Sequence, residues 1–134
     1  MGQTDAFLQK SVFEALNQDA ALISLMGSDK VFSHVTIKTD LPYVVISNWQ
    51  TEDWSTSSDN GYLHRFQIDV WDDKRSTLVQ QNIAARIVEL LHDQPLELGF
   101  GHLVNLRFEN SSLSIQGSNK LQPLNLKFRA TIEF

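Results

Sequence analysis

The last eleven residues alternate without a break. Leu124, Leu126, Phe128, Ala130, Ile132 and Phe134 are apolar, and Asn125, Lys127, Arg129, Thr131 and Glu133 between them are polar or charged. Successive side chains of a strand point to opposite faces, so a period of two puts one face on a core and the other in water. A helix would scatter the same residues around its axis. Tyr62 to Trp71 repeats the pattern, with Tyr62, His64, Phe66, Ile68 and Val70 on one side and Leu63, Arg65, Gln67, Asp69 and Trp71 on the other. Val104, Leu106 and Phe108 alternate with Asn105, Arg107 and Glu109. Strands of this kind build an antiparallel sheet that is covered on one face only.

The cover is helical. Thr77-Leu78-Val79-Gln80 matches a capping box and opens a helix over 77–92, with Val79, Ile83, Ile87 and Leu90 or Leu91 as its apolar stripe and Pro95 beyond its end. Near the start, Thr4 can cap and Asp5 favours the first turn of a helix carrying Leu8, Val12, Ala15 and Leu16 on one side. Asp19 caps a second short helix with Leu22, Leu25 and Met26 on one face, and Gly27 suits its C-terminal end.

Between helices and sheet, Val31 to Ile37 reads as a weak strand or loop. Asp40-Leu41-Pro42 reads as a turn, and Tyr43 to Ser47 as a buried strand. Asn48 to Gly61 shows no apolar period and reads as a long loop or extended hairpin tip. Leu96 to Gly101 is a connector, and Asn110 to Lys120 a polar loop. The order α-α-β-β-α-β-β, with a minor strand near Val31, predicts an α+β fold. Its antiparallel sheet has four to five strands, with two to three helices packed on one face. At 134 residues and 42% hydrophobic content, the chain forms one domain, 1–134, able to bury a core of its own.

Composition narrows the chemistry. There is no cysteine, which excludes disulfides, thiolate metal sites and a thiol nucleophile. His34, His64, His92 and His102 are never three or four apart, so no helical metal pair forms. Thr56 stands where a calcium loop ending near Gly61 would need Asp. No Gly-x-Ser-x-Gly elbow exists, and Gly99-Phe100-Gly101 lacks the third glycine of a dinucleotide fingerprint. No catalytic residue, cofactor or metal is therefore expected. No apolar run approaches the roughly 20 residues of a membrane helix. Met1-Gly2-Gln3-Thr4-Asp5 lacks a basic n-region, so no secretory signal is expected, and Ala6 spoils a myristoylation motif.

Sixteen acidic and eleven basic residues give a net charge of -5, which disfavours duplex nucleic acid. The charge is uneven. Residues 1–60 hold eight acids and three bases, and residues 61–134 hold eight of each. The bases Arg65, Arg107, Lys127 and Arg129 fall on the polar strand faces. Such a face is either solvated or meets the acid-rich first half of another copy. Trp49 and Trp54, with Glu52 and Asp53 beside them, lie in the acidic loop, where they plug the domain's own edge or anchor a partner. His64, on the apolar side of its strand, reads as a core histidine with a hydrogen-bond partner. A rival reading is a small-ligand or enzymatic domain with a pocket between helix 77–92 and the sheet, around His64 and Tyr43. A third is nucleic-acid binding through the basic face and Trp71.

Several segments together carry a family resemblance. They are Asp19-Ala20-Ala21-Leu22, Leu41-Pro42-Tyr43-Val44-Val45-Ile46, Asp53-Trp54-Ser55-Thr56, a strand ending in Val70-Trp71, helix 77–92, Arg107-Phe108-Glu109 and the final alternating strand. Their order resembles the tail-completion, or tail-terminator, proteins of long-tailed phages and phage-derived gene transfer agents. The resemblance implies a structural virion protein and not an enzyme. It implies a ring, commonly a hexamer, that caps the tail tube and offers a head-proximal joining face. The implied partners are other copies, the tail tube protein and the head–tail connector protein, with no membrane and no sequence-specific nucleic acid. The implied location is the virion tail, and the host cytoplasm during assembly. Asp53-Trp54 resembles the family's Asp-Trp pair, which marks Trp54 as a partner anchor. A head-to-tail contact that closes makes a ring and needs two different patches on one chain. The acid-rich first half and the basic strand faces are such a pair.

Overall fold

The alternating segments pair with one another. In the computed structural model, which describes residues 2–27, 30–32, 41–58, 60–72, 78–98, 101–113 and 122–133, the helices are α1 (Gly2–Asn17), α2 (Ala20–Met26) and α3 (Leu78–Leu91). The strands are β1 (Val31–Phe32), β2 (Tyr43–Asp53), β3 (Gly61–Asp72), β4 (His102–Leu113) and β5 (Gln122–Glu133). They form one five-stranded sheet in the order β1-β2-β3-β5-β4. Every pairing is antiparallel except β1 with β2, which is parallel. The fold is α+β, as the sequence pattern predicts.

The two cleanest alternations lie side by side. Phe66 pairs with Phe128, Ile68 with Leu126 and His64 with Ala130 across β3 and β5. The inward residues Phe66, Ile68, Val70, Leu126, Phe128, Ala130 and Ile132 are all buried. The helices close this face with Leu8, Val12 and Leu16 from α1 and Ile83, Ile87 and Leu91 from α3, none of them exposed. Gln80 is buried as well, and its Nε2 donates to the Val70 carbonyl at 3.1 Å, tying α3 to β3. The expected Thr77 cap and residues 33–40 lie outside the described residues. Thr4 is no cap, because α1 begins two residues ahead of it at Gly2.

The second helix ends as expected. Asp19 Oδ2 accepts from Leu22 N at 2.9 Å, and Gly27 takes the left-handed conformation with φ +88°. Arg86 of α3 also reaches this cap, donating Nε to Asp19 Oδ2 at 2.9 Å and Nη2 to Oδ1 at 2.7 Å. The Arg86 guanidinium, assisted by the Leu22 amide, holds the Asp19 carboxyl below its ordinary value against the desolvation that opposes it. A depressed folded pKa stabilises the fold above the unfolded value and loses that contribution as pH falls through the folded one. Asp19→Ala should therefore cost about 0.5–2 kcal/mol near neutral pH, the usual range for a lost cap. The difference from wild type should shrink below about pH 4. Urea titrations at pH 7 and pH 3 would check both halves; an equal difference at the two pH values would refute the linkage.

Two expectations fail for one reason. β2 does not stop at Ser47 but runs to Asp53, so 48–53 are strand, and of the two readings of Asn48–Gly61 the hairpin tip holds and the long loop does not. Three steps from Ser47 to Gln50 oppose two steps from Gln67 to Arg65, which is a bulge of one extra residue. Asn48 sits there with φ 50°, a conformation that asparagine tolerates better than most residues. The extra residue flips the phase, so Ile46 and Trp49, not Ile46 and Asn48, share the inward side. β4 carries two such bulges, at Val104 and Glu109. The first puts Leu103 opposite Ile132 and leaves Val104, expected inside, 39% exposed. The second carries the strand on to Leu113, through residues expected to form a loop.

Candidate assembly interface

The β2–β3 hairpin ends in a small, hydrogen-bonded tip. Asp53 Oδ1 accepts from Ser55 N at 3.1 Å and Ser55 Oγ at 2.6 Å, as Asp does in turns. The Ser55 hydroxyl above all holds the Asp53 carboxyl below its ordinary value, so this exposed group stays charged. Trp54 N donates to the Gly61 carbonyl at 2.8 Å and closes the turn. The Trp54 ring lies against Gly61, where a Cβ would stand 2.9 Å from Cε3, so the approach needs glycine. Even so, Trp54 is 47% exposed. It is a large apolar ring held out at the end of a strand pair.

Trp49 behaves differently. Its ring stacks on Phe66 with centroids 4.3 Å apart and planes 8° from parallel. Its Nε1 donates to His64 Nδ1 at 3.1 Å. Of the two roles open to the tryptophans, Trp49 has the geometry of a plug for its own domain and Trp54 that of an anchor. The bulge at Asn48 turns one inward while the other stays out. His64 is fully buried among these groups, with Thr51 Oγ1 also 3.2 Å from Nδ1. An acceptor Nδ1 places the neutral ring's proton on Nε2.

The open sheet face carries the cations in rows. Arg65, Arg129 and Arg107 are direct register partners across β3, β5 and β4, and Lys127 stands next to them between Gln67 and Asn110. Like charges directly opposite on a sheet are destabilising. The outer two are compensated. Arg65 Nη1 donates to Glu52 Oε1 at 2.6 Å, and Arg107 Nη1 to Asp93 Oδ1 at 3.1 Å. Thus Glu52 and Arg65, both expected at an interface, are partners within one chain. Exposed pairs of this kind contribute about 0–1 kcal/mol and weaken with salt. Arg129, in the middle, has a buried Nε with no hydrogen-bond partner among the described residues. A hollow of about 220 Å³ opens beside Arg65 and Lys127, lined also by Asn48, Gln50, Gln67 and Glu109 together with Phe66 and Phe128.

The free edge of this sheet is partly closed. Asp93 N donates to the Leu106 carbonyl at 2.7 Å, and Phe108 N donates to His92 Nδ1 at 2.9 Å. The turn after α3 thereby occupies edge groups of β4 that would otherwise invite a foreign strand. No local signal in the sequence points to these contacts.

The rival reading's place for a pocket, between α3 and the sheet, is filled among the described residues. His64 is fully buried, Tyr43 is 8% exposed, and the space is taken by Ile83, Ala84, Ile87 and Leu91 against β3 and β5. Tyr43 stacks on Trp71 instead, with centroids 6.3 Å apart. A second hollow, of about 400 Å³, lies outside that layer, between residues 95–98 and 101–103. Among the described residues no group of three or more His, Asp or Glu side chains is placed to hold a metal ion. No described helix is long and apolar enough to cross a membrane.

The described residues thus combine a filled interior with an exposed aromatic tip and a cationic sheet face. Residues 10–133 match the sequence profile of the family described as tail completion protein gp17, and the chain belongs to that family. This is a family of structural virion proteins, not of enzymes, and the chain is a structural protein of tail assembly. Among solved structures, the chain is similar to one from the virion of a native gene transfer agent particle, with a TM-score of 0.88 and 26% identity over 98% of both chains. It is also similar to the gp17 protein of bacteriophage SPP1, with a TM-score of 0.61 and 25% identity over 93% of this chain and 88% of that one. No curated protein sequence matches the chain significantly.

Proposed function

We propose that this protein caps the tail tube as a ring, a hexamer when assembled, and forms the head-proximal joining surface. The observation that carries the reading is the presence of two dissimilar contact patches on one small domain. One is the acidic tip with Trp54 half out in solvent; the other is the cation row on the open sheet face. Dissimilar patches make heterologous contacts, which form a ring when the rotation between copies closes. Family membership and the likeness to a chain from a gene transfer agent virion support the same role. The partners are further copies of the chain, the tail tube protein and the head–tail connector protein. The protein acts in the host cytoplasm during assembly and remains in the virion tail.

Trp54 tests the reading. Trp54→Ala removes an exposed ring and leaves the turn's backbone hydrogen bonds in place, so stability should change by less than about 1 kcal/mol. Particle assembly should fail nonetheless, with tails of uncontrolled length or tails without heads in electron micrographs. Normal particles from the variant would remove Trp54 as the anchor. Trp49→Ala is the contrast: it takes away the Phe66 stack and the His64 hydrogen bond, and should lower the melting temperature clearly.

A further inference from the structure

Arg129 is the unresolved charge of the open face. Its register neighbours Arg65 and Arg107 hold Glu52 and Asp93, while its own Nε is buried with no acceptor among the described residues. A buried, unmatched guanidinium donor is costly, and a row of three opposed arginines adds repulsion. The repulsion is relieved by one carboxylate arriving from outside at the partly exposed Arg129 side chain. The acids already on the face argue for a carboxylate rather than a polyphosphate. Glu52, Asp69, Asp93 and Glu109 stand around the row, and would repel a continuous phosphate backbone while leaving room for a single side chain.

The same chain carries a carboxylate with matching needs. Asp53 is exposed at the hairpin tip, and both Ser55 donors fall on one of its oxygens, Oδ1. It cannot serve its own Arg129. Asp53 pairs with Tyr62, at an inward-facing place of the ladder, and Arg65 lies three residues further along β3 on the opposite face. Trp54 beside it is a ready apolar companion for the hollow lined by Lys127 and by Arg65, the register partner of Arg129. We propose that Asp53 of one copy binds Arg129 of the next, hairpin tip against open sheet face, with Trp54 at the adjoining hollow. This rests on the ring reading above and specifies its subunit contact.

Charge exchange tests it. Sedimentation velocity at low salt would compare wild type, Arg129→Glu, Asp53→Arg and a one-to-one mixture of the two variants, each first checked by thermal melting. Each variant alone opposes like charges and should associate at least about tenfold more weakly than wild type. The mixture restores opposite charges in both directions and should return to within about threefold of wild type. Arg129→Gln serves in place of the reversal if that variant does not fold, with a smaller loss expected. Variants that associate like wild type, or a mixture no better than its components, would overturn the contact. So would loss of oligonucleotide binding in Arg129→Glu with self-association unchanged, since the row would then be a phosphate site. Tail completion is read separately, in particles. If the contact fails while the Trp54→Ala particles still lose their tails' ends, the contact is wrong and the tail role stands.

Discussion

Phe128→Ala is expected to cost about 3–5 kcal/mol, the range for truncating a fully buried aromatic. Phe128 is 0% exposed on β5, which has a neighbour on each side. It stacks on Phe66 with centroids 5.5 Å apart, and meets Phe108 edge-on at 5.6 Å. With Trp49 stacked on Phe66, four rings run across β2, β3, β5 and β4 directly beneath the cation row. The neighbours are fixed by the strand ladder and cannot collapse into the gap, so the cavity term adds to the lost burial. Against a total of about 5–15 kcal/mol for a domain, this is a large share. Urea unfolding followed by far-UV circular dichroism would measure it. A loss under 1 kcal/mol would show that the aromatic row is not the centre of the core. Phe128→Leu should lose less, because most of the volume stays.

The second large effect lies on the other layer. Ile87→Ala should cost about 2–5 kcal/mol. Ile83, Ile87 and Leu91 are all 0% exposed and form one side of α3, four residues apart in each step. With Ala84 they make up the buried apolar side of α3, while Arg86 on another side is engaged by Asp19 and Glu89. Leu78 at the start of the same helix is 60% exposed, and Leu78→Ala should stay within about 0.5 kcal/mol. Similar losses from Leu78→Ala and Ile87→Ala in chemical denaturation would mean that the helix buries a different face.

Much of this was open to reading in the residue pattern, because burial on one face of a strand or helix leaves a local, periodic mark. The alternation at 62–71 and 124–132 carried its inward set into the structure without change, and so did Ile83 and Ile87 of α3. The absence of a thiol, a helical histidine pair or a nucleophile motif likewise needs no coordinates. The partition of Trp49 from Trp54 was not legible. It depends on one extra residue at Asn48, and a single insertion destroys a period of two while the strand itself continues. Val104 and Leu103 exchanged places for the same reason. Composition and spacing showed four cations on a polar face, but not that three of them are direct cross-strand partners, that two are matched by Glu52 and Asp93, or that Arg129 is left over. Those facts depend on register and on chain segments brought together from far apart, such as Arg86 on the Asp19 cap and His92 on the β4 edge. Local chemistry therefore determined the kinds of element, the buried faces of the unbulged ones and the structural class of the protein. Tertiary structure alone decided the partners, because register is set by the competition of whole strands for one core and leaves no mark on any single residue.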